Sequence, residues 1–367
     1  MDAEVQMRLA IEEARKAMGK THPNPAVGAV ITHKGEVIAS GFTQPAGQDH
    51  AEVVALKAMA AIGLEADEST TLAVTLEPCS TVGRTGACTD AIAEAGIRHV
   101  LVGATDPNPA HAGKGFDVMR SAGIKVETGI LEQQCADLNL IFNWQMSMGM
   151  PLIAGKIATT LDGRIATATG SSKWITGPAA REDVHRWRRY FPAIAVGAGT
   201  VLTDNPSLTA RLPDEEESCP IRFIFDRRLL SVEKPDSKVF FDQWKQKTVV
   251  VTSTGHGQRL EELRSKFGIE FWEVDGLRTF ISKCRDNKIW GVYVEGGNKL
   301  LSSFLNEQML SYLFWYRAPK FLADAHAVPA FSGQASLEME DAYKLSGIQT
   351  ADLDDDQLTR GFVVYPD

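Results

Sequence analysis

The chain opens on a helical pattern: Val5, Leu9, Ala10, Ala14, Ala17 and Met18 recur at helical spacing, Asp2 is placed as an N-cap, and Gly19 follows as a stop. Alternation then takes over in AVGAVITHKGEVIASGF, which predicts two strands around Lys34-Gly35. AEVVALKAMAAIG reads as a helix ending at Gly63, Thr71 to Leu76 as a short apolar strand, and TDAIAEAG as a helix. His99 to Ala104 reads as a strand, GFDVMRSAG as a helix, and IKVETG closes the series. Between Leu131 and Met150 the pattern turns helical and then loses its period. Pro151 opens a fresh strand, PLIAGKIAT, and the second half alternates again through AIAVGAGT, IRFIFD, TVVVTS, FWEVD, IWGVYVEGG and LSYLFWYRAPKFL. Strands alternating with helices after an opening hairpin imply an α/β layer structure with a largely parallel core. The expected division is two α/β domains, residues 1–148 and 149–367, abutting without a long flexible linker.

A length of 367 residues suits two domains, and either half is large enough to bury its own core. A composition 44% hydrophobic and 23% charged is ordinary and adds little. The charge says more. The net value of −9 is spread along the chain, and the densest acidic spot, Asp214 to Glu217, reads as a solvated loop. No basic face is evident for nucleic acid, although a few local arginines suffice for a small phosphorylated substrate. No apolar run approaches the ~20 residues that span a bilayer, and the charged amphipathic start is not a signal peptide. The five cysteines, Cys79, Cys88, Cys135, Cys219 and Cys284, are odd in number and scattered, a poor disulfide framework. The expectation is a cytoplasmic protein with neither nucleic-acid nor membrane partners.

Candidate chemistry gathers in the first half. His50-Ala51-Glu52 sits at the start of a helix, Pro78-Cys79 follows the strand that leads to Glu77, and Cys88 comes just before another helix. One imidazole and two thiolates make a three-ligand zinc site with the fourth position open for water. Zinc lowers the pKa of that water, and Glu52 is poised to shuttle its proton, the His-x-Glu and Pro-Cys arrangement of zinc deaminases. A lone His-x-Glu is common, and two cysteines alone suit a buried apolar role. A structural zinc, however, takes four protein ligands, and no other histidine is an obvious fourth. The separation of the two cysteines implies a longer metal loop than the two-residue spacing of most such deaminases.

THPNPAVGAV (Thr21 to Val30), HAEVVAL, TLEPCSTVGRTGAC and DPNP (Asp106 to Pro109), in that order, resemble the bifunctional deaminase–reductase family of riboflavin biosynthesis. So do KIATTLDGRIATATGSSKWIT (Lys156 to Thr176), VGAGTVLTDNPSLTAR (Val196 to Arg211) and VEGGNKL (Val294 to Leu300). The resemblance covers nearly the whole chain. It implies a cytidine-deaminase-like domain followed by a dihydrofolate-reductase-like domain, with Zn2+ and NADPH as cofactors. The implied substrate is a small pyrimidine ribosyl phosphate, deaminated and then reduced from ribosyl to ribityl by a homo-oligomer. Family members usually carry a histidine directly after Cys-Ser and prolines before the second cysteine. Here Thr81, Gly86 and Ala87 stand in those places, which leaves the metal ligands intact but puts a contact from that loop to the substrate in doubt.

By motif position the resemblance assigns Glu52 to catalysis and His50, Cys79 and Cys88 to zinc. Asn24 and Arg84 go to the first substrate, with Asp106 and Asn108 as weaker candidates; Asn24 sits between two prolines, where a turn asparagine satisfying its own backbone is the alternative. Glu77 reads on position as a structural partner of the metal loop. In the second half the resemblance assigns Ala158, Trp174, Thr200, Asp204, Gly297, Asn298, Lys299, Leu300, Leu301, Ser302 and Ser303 to the cofactor. It assigns Ser172, Arg188, Leu208, Arg211 and Glu295 to the substrate, and Lys156 and Asp204 are the groups to watch for proton delivery. The turns at Gly197-Ala198-Gly199-Thr200 and Glu295-Gly296-Gly297-Asn298 suit close approach of backbone amides to phosphate, yet neither is the Gly-x-Gly-x-x-Gly fingerprint of a Rossmann domain. Trp174 as ordinary core and Arg188 as helix surface remain the plain alternatives.

Overall fold

A computed structural model describes residues 1–81, 86–213, 215–333 and 338–366. They fall into two compact units, Met1–Gly149 and Met150–Asp367. The first begins with α1 (Ala3–Ala17), where the Asp2 carboxylate accepts the Val5 N–H as an N-cap, and continues through β1 (Gly28–His33), β2 (Glu36–Phe42), α2 (Ala51–Ala61) and β3 (Thr70–Leu76). It ends with α3 (Cys88–Glu94), β4 (His99–Ala104), α4 (Lys114–Ser121), β5 (Lys125–Glu127), α5 (Glu132–Asp137) and α6 (Leu140–Met148). The sheet order is β2-β1-β3-β4-β5, antiparallel around β1 and parallel from β3 to β5. Leu72, Val74 and Val100 are fully buried, each contributing roughly 1.5–3 kcal/mol by leaving water. Gly41 lets α2 lie flush on β2: a Cβ there would come within 2.6 Å of the Ala51 carbonyl. That close approach fixes the start of α2, where His50 and Glu52 sit.

The second unit runs β6 (Leu152–Thr159), β7 (Arg164–Ala166), α7 (Pro178–Tyr190), β8 (Ala193–Gly197), α8 (Ala198–Asp204), β9 (Ile221–Phe225), α9 (Lys238–Phe241), β10 (Thr248–Ser253) and α10 (Gln258–Phe267). It continues through β11 (Glu270–Val274), α11 (Leu277–Asp286), β12 (Gly291–Glu295), α12 (Asn298–Asn306), β13 (Tyr312–Arg317), β14 (Val328–Pro329), β15 (Lys344–Leu353) and β16 (Asp356–Val364). Its nine-stranded sheet has the order β11-β10-β9-β8-β12-β6-β13-β16-β15. It is parallel from β11 to β13 and antiparallel through β16 and β15. The central strands β8 and β12 are buried on both faces, which is why they read as continuous apolar runs. α8 and α12 spring directly from the carboxyl ends of β8 and β12, so two helix N-termini open over one edge of the parallel sheet.

Two α/β units, the opening hairpin and the parallel strands agree with the sequence. The β15–β16 hairpin is not among the predicted elements. Most of β15 is exposed or half-exposed on both faces, so its sequence carries no apolar alternation, and pairing with β16 alone holds it extended. Among the described residues no helix is long and apolar enough to cross a membrane.

Candidate functional site

In the first unit, three element ends meet. His50 is the N-cap residue of α2, Cys79 follows the carboxyl end of β3 and Cys88 is the first residue of α3. The three ligand atoms lie within 4.8 Å of one another. His50 Nδ1 is 3.6 Å from Cys79 Sγ and 3.3 Å from Cys88 Sγ. Ordinary Zn–S and Zn–N bond lengths place tetrahedral ligand atoms ~3.6 Å apart, so this donor set fits a zinc ion. Cys79 is held as the more acidic sulfur, drawn down to about 4 chiefly by the hydrogen bond from the Cys88 thiol, with His50 adding to it. Cys88 is pushed up in turn, first as that donor and then by burial.

Glu52, in the first turn of α2, is 4% exposed, and burial raises its carboxyl above the usual range. It is thereby a group able to take and return a proton rather than a permanently charged ornament of the surface. Beside it opens a cavity of about 290 Å3, lined by His50 and Cys79 together with Asn24, Thr43, Thr81, Asp106, His111 and Phe142, among others.

Glu77 organises one wall. It is buried, and its two carboxylate oxygens accept three backbone N–H groups, from Asp106 at 3.1 Å, Gly113 at 3.0 Å and Gly115 at 2.8 Å. The loop from Asp106 to Gly115 therefore hangs on the residue that precedes Pro78-Cys79. Gly115 is required for this: a Cβ there would lie 2.3 Å from the Pro78 carbonyl. The expectation for Glu77 is thus sharpened, since its partners are the amides of that loop. Another part of the lining is held by Asn139, 2% exposed, whose side chain bonds both the N–H and the C=O of Ala26, next to the Asn24-Pro25 turn. Neither Asn139 nor the cavity residues Thr43, His111 and Phe142 is marked by a sequence motif, and all but Thr43 are more than twenty residues from any metal-ligand candidate. Arg84 lies outside the described residues.

In the second unit, Lys156 within β6, Glu295 at the carboxyl end of β12 and Arg188 on α7 converge. Arg188 grips the Glu295 carboxylate with two hydrogen bonds, Nε at 2.5 Å and Nη2 at 2.9 Å, and its Nη1 reaches the Thr209 carbonyl at 3.0 Å. Lys156 Nζ stands 3.4 Å from the same carboxylate. Burial alone would raise Glu295, but the two cations more than reverse it and hold the carboxyl at about 2. Leu208 is buried in a left-handed conformation at φ 56°. Arg211 is half-exposed, bonds Thr209 Oγ1 at 2.5 Å, and gives its backbone N–H to His185 Nδ1 at 3.2 Å. His185, which no motif marks, is held down at about 4 by burial and by Arg188 and Arg211.

The other expected residues are more spread. Ala158 is two positions beyond Lys156 on β6, and Ser172 and Trp174 lie between β7 and α7. Trp174 is 67% exposed with the Arg181 guanidinium 4.6 Å from its ring centroid, so it is a surface platform and not core. Lys173 pairs with Asp204 at 3.5 Å, linking that segment to α8, which also carries Thr200. Gly297 caps α12, and Asn298, Lys299, Leu300 and Ser303 lie on its half-exposed or exposed side. Leu301 is fully buried in the core, and Ser302 is turned inward, where its Oγ accepts the Ser332 N–H at 2.8 Å. Any contact from Leu301 to a cofactor is therefore through its backbone.

A deaminase-type unit and a second α/β unit with a phosphate-suited edge define a two-domain enzyme. Residues 1–104 match the cytidine and deoxycytidylate deaminase zinc-binding region, and residues 151–356 match the RibD C-terminal domain. The riboflavin biosynthesis protein RibD of Bacillus amyloliquefaciens is 38% identical over 96% of this chain and 94% of its own. A solved deaminase/reductase, the diaminohydroxyphosphoribosylaminopyrimidine deaminase/5-amino-6-(5-phosphoribosylamino)uracil reductase of Thermotoga maritima, superposes with a TM-score of 0.79 at 34% identity, covering 100% of this chain and 99% of that one. Acinetobacter baumannii RibD, form 1, gives a TM-score of 0.76 at 35% identity over 99% of each chain. The chain belongs to the RibD family of riboflavin biosynthesis enzymes, bifunctional proteins that join a deaminase to a reductase.

Proposed function

We propose that the first unit hydrolytically deaminates a diamino ribosylaminopyrimidinone 5′-phosphate and that the second reduces the ribosyl group of the product to ribityl with NADPH. The reading rests above all on Glu52, a buried carboxyl beside one imidazole and two thiols spaced for zinc. Residues 1–148 are the proposed deaminase domain and 149–367 the reductase domain. His50, Cys79 and Cys88 hold the metal, which when bound supplies a water that ionises near neutral pH. With the metal bound, the Glu52 carboxylate would accept a proton and pass protons to the ring nitrogen and the departing amine. Asn24, Asp106 and Asn108 orient the ring and ribose, and Arg84 completes the proposed contacts.

In the second unit, Ala158, Trp174, Thr200, Asp204 and the stretch from Gly297 to Ser303 bind NADPH, which supplies the hydride. Ser172, Leu208, Arg211 and Glu295 bind the substrate, Arg188, also assigned to it by the resemblance, acts through Glu295, and Lys156 is placed to deliver a proton. Because the Arg188 fork is filled by Glu295, Arg211 is the arginine with room to meet the substrate phosphate, while Arg188 holds Glu295 charged and in place. Five free cysteines suit a reducing compartment, and we place the enzyme in the cytoplasm as a homo-oligomer; light scattering tests the assembly. The decisive assay gives the purified protein, zinc and NADPH the diaminopyrimidine phosphate and follows ammonia release and the nicotinamide absorbance. Ammonia followed by NADPH oxidation is expected. Absence of both overturns the reading.

A further inference from the structure

A doubly charged phosphate entering the first cavity meets an acidic and neutral lining. Apart from the metal-ligand candidates, its described side chains include Glu52, Glu77 and Asp106, with asparagine, threonine and serine among the rest. Burying an anion against carboxylates is unfavourable unless a cation accompanies it. Arg84, also assigned to this substrate, lies outside the described residues; among the described lining residues other than the metal ligands, His111 is the one able to carry a positive charge. The loop bearing it hangs on Glu77 by the three amides described above. Inside the loop, Asp106 Oδ1 accepts the Asn108 N–H at 2.8 Å, Asn108 Oδ1 accepts the Ala110 N–H at 3.0 Å, and the His111 N–H reaches the Asn108 carbonyl at 2.8 Å. The backbone is thus fully engaged, whereas the His111 imidazole has no hydrogen-bond partner among the described residues, and Asp106 lies within electrostatic reach of it. The lining also includes Thr81 of the metal loop, where the resemblance leads one to expect a histidine.

We propose that His111 binds the phosphate of the deaminase substrate, supplying from the Asp106–Gly115 loop the imidazole that the metal loop lacks at Thr81. The inference rests on the function proposed above and concerns how that site recognises its substrate. An imidazolium gives a phosphate a charge-assisted hydrogen bond, of the kind whose loss costs about ten- to a hundredfold in affinity.

The test uses the zinc-loaded full chain, the phosphorylated pyrimidine and its dephosphorylated counterpart. His111→Ala is expected to raise KM for the phosphorylated substrate about ten- to a hundredfold with little change in kcat. It should leave the KM of the dephosphorylated substrate near the parent value. His111→Lys, which keeps a cation on the loop, is expected to recover most of the loss. A KM for the phosphorylated substrate that stays within about twofold of the parent overturns the proposal. So does an equal rise for both substrates, which assigns His111 to the ribose or the ring. Loss of zinc from His111→Ala also overturns it, by making the residue a support of the metal loop. Should the parent protein fail to deaminate the phosphorylated pyrimidine at all, the proposed function itself has failed, an outcome distinct from every one above.

Discussion

In the first unit the reactive groups come from the start of α2, the end of β3 and the start of α3, and each is announced by its neighbours: a glutamate two residues after a histidine, a cysteine after a proline. In the second unit the groups that meet most tightly, Arg188 and Glu295, stand 107 residues apart, and Lys156 joins them from a third element. The first site is organised around soft donors suited to a metal. The second is organised by its own charges, with a carboxylate already neutralised by two cations. The difference teaches where each is vulnerable: the first to loss of a ligand or of its proton carrier, the second to loss of either half of an ion pair.

Glu52→Gln strikes the first site hardest. The amide keeps the shape but cannot carry the proton, so deamination should fall by roughly 1,000-fold or more, with zinc content and reduction of pre-deaminated substrate near parent values. Deamination within about tenfold of the parent would remove Glu52 from the mechanism.

Arg188→Met tests the second site in the opposite sense. It leaves the buried Glu295 with Lys156 alone, and breaking a buried pair from one side costs about 3–5 kcal/mol. Reduction should be lost and the unfolding of the second unit should shift down, while ammonia release persists. Unchanged melting with unchanged reduction would show that the pair does neither job.

These two variants also mark what the sequence discloses. His50, Glu52, Cys79 and Cys88 are legible because chemistry, spacing and element ends coincide within one short stretch. The Arg188–Glu295 pair is not, because an arginine in a run with Arg186 and Arg189 looks like helix surface until the sheet brings β12 beneath it. Asn139 and His111 are silent for the same reason: their partners are reached only through the fold. The parallel strands were visible as apolar runs, whereas β15, exposed on both faces, offered no pattern to read.

Glu77→Gln should produce a smaller effect. One of its oxygens becomes an NH2 facing backbone donors, at a cost of about 1–3 kcal/mol. The Asp106–Gly115 loop should loosen, seen as faster amide exchange there and a raised KM for deamination. Unaltered exchange in that loop would show that the three amides find other partners.

The smallest effect is on pH. His185 is neutral in the folded chain down to about 4 but titrates near 6.5 when unfolded, so its share of stability is present above 6.5 and lost as the pH falls toward 4. Glu295, held at about 2 against an ordinary 4.5, adds a loss that begins only below 4.5. Thermal melts of the second unit should therefore begin to decline below pH 6.5, and His185→Gln should flatten the first part of that decline. An identical profile in the variant would place the acid sensitivity elsewhere.

The wall built by Asn139 and Phe142 decides where a knife can be put into this chain. The matched zinc-binding region ends at residue 104, yet the cavity takes Asp106, His111 and Gly115 from beyond it and Phe142 from α6, and Asn139 fastens Ala26, next to the Asn24 turn, from just before α6. A fragment cut where the match stops would keep every zinc-ligand candidate and lose the part of the cavity lining that Asp106, Asn108, His111, Gly115 and Phe142 supply. The shortest piece able to hold a whole first site runs through α6, to Met148.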